Sequence, residues 1–270
     1  MSLPAYALDR PTFPQMYERH LVGPLFRPWA QALLDEARLR EGERVLDIAC
    51  GTGIVARLAH ERVGPRGRVA AVDVSAPMLE VGRSIAPSVE WREGNASALP
   101  LRDGEAFDVV FCQQGLQFFA DRPAAVREMR RALAPHGRLA VSTWGPIAEA
   151  PVFREAHAIA EKIVGPVVDQ RHALGDASEL ERLLTEAGLD EVRVRIVAMA
   201  LRFTDSQSLA RLNAMALVGM SGAAKQLDEA GRERAITAIA QESSKAFAPY
   251  TRGAELVFDS VSNVATAMAA

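Results

Sequence analysis

The stretch Arg44-Val-Leu-Asp-Ile-Ala-Cys-Gly-Thr-Gly-Ile-Val-Ala56 contains the signals that decide the fold. An apolar strand carries a carboxylate, Asp47, near its end and runs through a glycine turn into a helical pattern, which is the arrangement of a nucleotide pocket. Asp73 closes a second short strand, 69–72. Because parallel strand ends open on one crevice, the two acids favour a ligand that is cationic at one end and carries ribose hydroxyls in the middle.

Helical patterns alternate with short strands rich in Val and Ile up to residue 145. This alternation predicts an α/β fold whose parallel strands are joined by crossover helices. A helix over 25–37 places its apolar residues on one stripe and should pack on the sheet. Beyond residue 145 the pattern predicts helices over 151–164 and 176–187, followed by a long strand over 191–203.

A family resemblance rests on Asp47-x-Ala49-x-Gly51-x-Gly53, followed by Asp73 at the second strand end. The pattern resembles the cofactor motif of class I S-adenosylmethionine-dependent methyltransferases, with Ala49 in place of the first family glycine. The resemblance covers roughly residues 40–145. It is similar in particular to the small-molecule branch, which includes methyltransferase type 11 and quinone-biosynthesis enzymes.

The resemblance implies a doubly wound, Rossmann-like mixed sheet of seven strands whose last strand is antiparallel. In that fold the strand 191–203 pairs with a final strand near 255–268. The segment 204–253 between them is far longer than a hairpin needs, so its helical patterns predict an insertion over the active site. We therefore expect three parts. They are an amino-terminal helical cap segment (1–40), a cofactor-binding core (41–203 plus 254–270) and the helical insertion (204–253).

The resemblance also implies which residues hold S-adenosylmethionine. Asp47 would attract the methionine ammonium, and Asp73 would accept both ribose hydroxyls. Val74 and Met78 would enclose the adenine, and Asn95 would accept its amine. The complete expected set is Asp47, Ala49, Gly51, Gly53, Asp73, Val74, Met78, Asn95, Ala96 and Gln113.

The loop after the fourth strand supplies candidates for the methyl acceptor. In the family this loop faces both the methionine carboxylate and the acceptor, so Gln114 and Gln117 are expected to position the substrate, together with Trp144. Enzymes that methylate nucleic-acid bases tend to carry Asn/Asp-Pro-Pro and an aromatic residue here. The sequence lacks that motif, which favours a small-molecule acceptor.

Methyl transfer by in-line displacement asks little of side chains, because the sulfonium is already an activated electrophile. A base is needed only if the acceptor must lose a proton. The candidates for a hydroxyl acceptor are His20, Tyr17 and His172. The sequence does not identify the acceptor atom.

Apolar residues of the helical insertion and of the strand before it suggest a lipophilic or aromatic substrate. Methionine adapts to irregular ligands, and these side chains could line a pocket or pack the insertion on the core. The residues are Met199, Leu209, Leu212, Met215, Met220 and Phe247.

Two other functions remain open at this stage. Gly51-Thr-Gly53-Ile-Val-Ala56 also matches G-x-G-x-x-A, with Asp73 near the position that a dinucleotide site requires, so an NAD(P)-dependent oxidoreductase is one alternative. Asp47 argues against it, since a pyrophosphate on this turn would meet a negative charge. The other alternative is a protein that binds S-adenosylmethionine without transferring methyl.

Composition argues against several other partners. A net charge of −3 and the absence of clustered cations disfavour nucleic acid. We expect a cytoplasmic protein without a membrane span, since no apolar run has signal or spanning length. Cys50 and Cys112 are expected as buried free thiols, and no metal motif is present. A homodimer remains compatible with the sequence.

Overall fold

A mixed sheet crosses the middle of the protein in a computed structural model that describes residues 12–269. The strands are β1 (Arg44–Ile48), β2 (Arg68–Asp73), β3 (Glu90–Glu93), β4 (Phe107–Gln113), β5 (Leu133–Trp144), β6 (Asp190–Phe203), β7 (Thr251–Arg252) and β8 (Glu255–Met268). They lie in the order β3-β2-β1-β4-β5-β8-β6, and the two-residue β7 pairs with the start of β8. The first five strands are parallel, whereas β8 is antiparallel to both β5 and β6. The predicted α/β sheet with an antiparallel last strand is confirmed, and β7 is an addition too short to leave a sequence pattern.

Helices cover both faces of this sheet. They are α1 (Phe13–Tyr17), a π-helix (Glu18–Phe26), α2 (Arg27–Glu36), α3 (Ile54–Val63), α4 (Ala76–Ile85), α5 (Arg122–Arg131), α6 (Pro151–Val164), α7 (Ala177–Glu186), α8 (Ser206–Met220) and α9 (Glu229–Ala246). The predicted helices 25–37, 151–164 and 176–187 correspond to α2, α6 and α7. The sequence does not predict the π-helix. Among residues 12–269, no helix combines the length and apolar character that crossing a membrane requires.

The central strands are buried on both faces, which explains their continuous apolar character. Val45 and Val109 pack on the side of α2 and α3, whereas their neighbours Leu46 and Val110 pack on the side of α5 and α7. This alternation follows from the two-residue period of a strand. The sheet is thereby fixed between two apolar layers, and the carboxyl ends of its parallel strands form one edge.

A third apolar cluster lies where α6, α8 and α9 meet the ends of β6 and β8. Phe203 and Phe258 stack in it with ring centroids 5.8 Å apart, and Phe153 meets Phe258 edge-on at 5.7 Å. The helices α8 and α9 occupy the segment 204–253, as the sequence predicts. The division into three parts stays a prediction, and residues 1–11 of its first part lie outside the described residues.

Cys50 and Cys112 are both buried and free. They follow or end neighbouring central strands, where each thiol packs as a small apolar group. The prediction of two free thiols is confirmed.

Two helical glycines provide a matched test of packing. A Cβ at Gly82 in α4 would lie 2.5 Å from ring atoms of Trp91, whereas a Cβ at Gly219 in α8 would meet nothing within 4 Å. Alanine normally stabilises a helix by about 0.5–1 kcal/mol relative to glycine. We therefore expect Gly219→Ala to raise the free energy of unfolding and Gly82→Ala to lower it, as measured by urea denaturation. Stabilisation by both substitutions would contradict the described contact with Trp91.

Candidate cofactor and acceptor site

The turn between β1 and α3 uses left-handed backbone at three positions. The φ angles are 56° at Ala49, 57° at Gly51 and 82° at Gly53. A Cβ at Gly53 would lie 2.2 Å from the Trp91 ring, so glycine is required there for space as well as conformation. Ala49 adopts the same region with a side chain, at a cost of about 1 kcal/mol. The chain therefore reverses sharply where the carboxyl ends of β1 and β2 lie side by side.

Asp47 is buried directly beneath this turn, with 1% of its surface exposed. Its Oδ2 accepts a hydrogen bond from the Ala56 amide of α3 at 3.0 Å. Burial, helped by the negative charge of Asp73, raises the pKa of Asp47 to about 8, although the Ala56 bond opposes the rise. A nearby cation would favour the ionised form and reverse this shift. The Asp47 carboxylate thus links β1 to α3 and can also bind a positively charged group.

Asp73 ties the second strand end to the same turn. Its Oδ2 accepts from the Gly51 amide at 2.8 Å, and its Oδ1 accepts from the Ser75 amide at 2.8 Å. Both oxygens therefore have fixed directions. Each retains capacity for a further hydrogen bond, which a pair of ribose hydroxyls could use.

Two cavities open along this edge. The first, which we call the adenosine cavity, is lined by Ile48, Ala49, Val72, Asp73, Val74, Gly94, Asn95, Ala96, Ser97, Phe118, Phe119, Ala120 and Asp121. Val74 lies at its mouth and is 72% exposed, so its apolar side chain is available to contact a planar ligand. The Oδ1 of Asn95 accepts from the Ser97 amide at 2.9 Å, so this side chain also shapes the local turn. Met78 is half-buried on α4 and lines neither cavity.

The second cavity, which we call the acceptor cavity, encloses about 210 Å³. Its lining residues are Phe13, Tyr17, Leu21, Leu25, Phe26, Ala49, Gln113, Gln114, Phe118, Trp144, Phe153, Arg171, His172, Leu209, Leu212, Asn213 and Ala216. Aromatic and aliphatic side chains form most of its wall. The two cavities share Ala49 and Phe118, so their contents would meet beside the glycine turn.

The three glutamines at the end of β4 and in the loop after it have different positions. The Nε2 of Gln113 donates to the Phe26 carbonyl at 2.9 Å, and that of Gln114 donates to the Ser262 hydroxyl at 2.9 Å. Both line the acceptor cavity. Gln117 is 1% exposed and lines neither cavity, so its role in positioning the substrate stays a prediction that these contacts do not support. The 3₁₀ turn Leu116–Phe118 directs it inward and presents Phe118 to both cavities instead.

His172 has the properties of a general base among the three candidates. Its Nδ1 lies 2.7 Å from the Gly145 carbonyl, which can only accept, so Nδ1 carries the proton. Burial lowers the pKa of His172, and the ring is therefore neutral at pH 7 with a lone pair on Nε2. The side chain lines the acceptor cavity.

The other two candidates are placed less favourably for taking a proton. Tyr17 lines the acceptor cavity above Gly51, but burial and the charge of Asp73 raise its pKa far above the usual value. His20 does not line the cavity, because its Nδ1 pairs with Asp205 at 3.3 Å at the start of α8. A neutral phenol can donate a hydrogen bond but is a poor source of phenolate.

The insertion contributes a single stripe of α8 to the acceptor cavity. Residues 209, 212, 213 and 216 follow the three- and four-residue spacing of one helix face. Leu209 and Leu212 line the cavity as expected, whereas Met215 lies off this stripe. Met199 and Met220 pack against the third apolar cluster, and Phe247 is buried in it. Of the two alternatives for these side chains, packing on the core therefore applies to Met199, Met220 and Phe247.

Sequence patterns gave no signal for the polar end of the acceptor cavity. Arg171 donates through Nε and Nη2 to Asp169, at 2.8 and 2.6 Å, and through Nη1 to the Oδ1 of Asn213. Its guanidinium lies 5.3 Å from the centroid of the Phe153 ring. Arg171 and Asn213 lie in a loop and a helix that only the fold brings together.

Comparison with known proteins shows which protein family has this sequence pattern. A methyltransferase-domain family matches residues 46–141. The ubiquinone/menaquinone biosynthesis C-methyltransferase UbiE of Hahella chejuensis (strain KCTC 2396) is 40% identical over 123 residues, which are 43% of this chain and 49% of that protein. The demethylmenaquinone methyltransferase of Staphylococcus aureus (strain JH9) is 32% identical over 198 residues, which are 66% of this chain and 78% of that protein.

Among solved structures, a putative methyltransferase from Bacillus halodurans C-125 aligns with a TM-score of 0.56 and 21% identity, over 88% of this chain and 97% of that chain. That likeness concerns the fold. The curated relatives and the matched domain support the prediction of a methyltransferase and give no support to the alternative of a nicotinamide-dependent oxidoreductase. The chain belongs to the class I S-adenosylmethionine-dependent methyltransferase family.

Proposed function

We propose that this S-adenosylmethionine-dependent methyltransferase acts on a small aromatic or lipophilic acceptor bound in the acceptor cavity. The observation that carries the proposal is the junction of the two cavities at Ala49 and Phe118. One cavity is lined by residues of the cofactor motif, and the other is walled mainly by rings and leucines. An acceptor in the second cavity would therefore approach the methionine end of a cofactor in the first.

The curated relatives support an aromatic acceptor. By their names, one relative is a C-methyltransferase of ubiquinone and menaquinone biosynthesis and the other is a demethylmenaquinone methyltransferase. A quinone-type ring would suit the walls that Phe26, Trp144 and Phe153 provide, since aromatic pairs prefer offset or edge contacts. We propose quinone-like and phenolic rings as the first acceptors to test.

The residues at the sheet edge fit the cofactor. We propose that Asp47 attracts the methionine ammonium and that Asp73 accepts hydrogen bonds from the ribose hydroxyls. Val74, Asn95 and Ala96 would surround the adenine. Met78 stays in the proposed set although it lines neither cavity. When bound, S-adenosylmethionine supplies a methyl group on a positively charged sulfur, which is a strong electrophile.

The protein's own contribution is to orient the acceptor and exclude water. Phe118 and Tyr17 would close the junction between the cavities, and Trp144 would support the acceptor ring. We propose His172 as the base for acceptors that must lose a proton. Its Nε2 would take the proton, while the Gly145 carbonyl keeps Nδ1 protonated and stabilises the resulting imidazolium.

Transfer of labelled methyl from S-adenosylmethionine tests the proposed function. We expect label in an alkylated 1,4-naphthohydroquinone or in 1-naphthol, and none in ethanolamine, because the cavity wall is aromatic. Leu212→Arg would place a charge in the acceptor cavity and should abolish transfer while leaving cofactor affinity, measured by calorimetry, within about twofold. Label in the amine alone would refute the proposal.

Asp47 gives a prediction about pH. Because its pKa is raised to about 8 and a cation prefers the ionised form, affinity for S-adenosylmethionine should increase as pH rises toward and through 8. Asp47→Asn should weaken binding about 10–100-fold and flatten that dependence, as measured by calorimetry. Glu43→Gln, which removes a carboxylate at the opposite end of β1, serves as the control.

The same substitution should stabilise the cofactor-free protein. The folded-state pKa of Asp47 lies above its ordinary value of 3.8. Its contribution to the free energy of unfolding of the wild-type protein therefore decreases as pH rises from about 4 to 8. Asp47→Asn lacks this loss and keeps an oxygen for the Ala56 amide. We expect it to be more stable by on the order of 2 kcal/mol at pH 8. Equal stability of the two proteins at pH 8 would contradict the raised pKa of the buried Asp47 carboxyl.

His172→Gln tests the base. For an acceptor that must lose a proton, kcat should fall about 10²–10⁴-fold while cofactor affinity is retained. Because burial lowers the pKa of His172, wild-type kcat should persist below pH 6.5 and decline only under more acidic conditions, as the base becomes protonated. An unchanged kcat across the pH profile would exclude His172 as the base.

A further inference from the structure

We propose that Asn213 recognises an uncharged oxygen of the methyl acceptor through its side-chain Nδ2, in a position fixed by Arg171. The inference deepens the proposed function and rests on it for the nature of the bound molecule. It assigns selectivity to the insertion helix α8, whereas the cofactor motif lies on the core.

Asn213 is the polar member of the α8 stripe that lines the acceptor cavity. Only 4% of the residue is exposed, and its Nδ2 has no hydrogen-bond partner within residues 12–269. A buried donor without a partner costs about 1–3 kcal/mol, and folded proteins rarely retain one. An amide at the wall of a cavity avoids this cost when a ligand supplies the missing acceptor.

The orientation of this amide is determined by its neighbour. Arg171 can only donate, so the atom of Asn213 that receives Nη1 must be Oδ1, and Nδ2 must point elsewhere. Arg171 is itself fixed by its two bonds to Asp169 and by its position over the Phe153 ring. The donor is therefore held in one direction before any ligand binds, which reduces the entropy cost of recognition.

The charges around the polar end indicate an uncharged ligand atom. The carboxylate of Asp169, 5% exposed, neutralises Arg171 through a two-point contact. His172 is neutral, and the Oε1 of Gln114 is a further buried, unpaired atom in the wall. A carboxylate or phosphate would find no free cation among these groups. A carbonyl or hydroxyl oxygen on an aromatic or lipophilic ring would satisfy Asn213 without bringing an unpaired charge.

A pair of probes isolates the proposed hydrogen bond. The ketone 1-tetralone carries one acceptor oxygen, and tetralin has the same rings without it. Binding of each can be followed by calorimetry in the presence of S-adenosylhomocysteine. We expect Asn213→Leu to weaken 1-tetralone binding about 10–100-fold and to leave tetralin within about twofold.

Asn213→Asp provides a second variant that keeps an oxygen for Arg171 and replaces the donor with an acceptor. It should lose 1-tetralone affinity to a similar extent, which a general disturbance of packing would not predict. Leu212→Ala is the matched control, because it removes an apolar contact of the same stripe and should weaken both probes by a similar factor. If both Asn213 variants bind 1-tetralone within twofold of wild type, the inference is wrong.

Failure of this inference can be distinguished from failure of the proposed function. A protein that loses 1-tetralone binding in both variants but transfers no methyl to any aromatic acceptor would retain the Asn213 contact and refute the proposed function. If both Asn213 variants keep their 1-tetralone affinity and methyl transfer to aromatic acceptors persists, the proposed function stands and the inference about Asn213 is refuted. Cofactor affinity measured in the same samples confirms that each variant is folded.

Discussion

The burial of Asp47 at the end of β1 is the constraint on which the site depends. An acid enclosed there needs a donor, and the Ala56 amide of α3 supplies one. That bond fixes where the helix begins relative to the strand, so the intervening chain must reverse within a few residues. Left-handed backbone at Ala49, Gly51 and Gly53 achieves this reversal. The Gly51 amide then meets Asp73, and the two strand ends become one binding edge.

Several features of this edge and of the neighbouring acceptor cavity are unfavourable in the free protein. Asp47 is a buried acid with a pKa near 8, Ala49 holds a left-handed conformation, and the amides of Gln114 and Asn213 have unpaired atoms. Ala49, Gln114 and Asn213 line the acceptor cavity, and groups poised for a ligand are not satisfied without it. The apolar layers on both faces of β1 and β4 stabilise the fold against these local costs.

The sequence was sufficient for the parts of the structure that depend on local pattern. The strand, turn and helix around Asp47 are contiguous, and Asp73 ends the next strand, so their meeting follows from parallel topology alone. The directions of individual side chains do not follow from such a pattern. Gln117 turns inward because a 3₁₀ turn rotates successive side chains differently from an α-helix, and His20 is drawn to Asp205 on another helix. Neither contact leaves a trace in the spacing of residues.

The acceptor side could not be predicted, because it is assembled from segments far apart in the chain. Arg171 lies in the loop after α6, and Asn213 lies on α8, with α7 and the long strand β6 between them in the chain. Their contact exists only because α6 and α8 pack in the third apolar cluster. This arrangement also places cofactor binding and acceptor selection in different parts of the protein. The adenosine and acceptor cavities have Ala49 and Phe118 in common among the described lining residues, so side chains on the α8 stripe can change without disturbing Asp47 or Asp73. A fold of this kind can keep one cofactor and vary its acceptor, since the residues that select each belong to different layers.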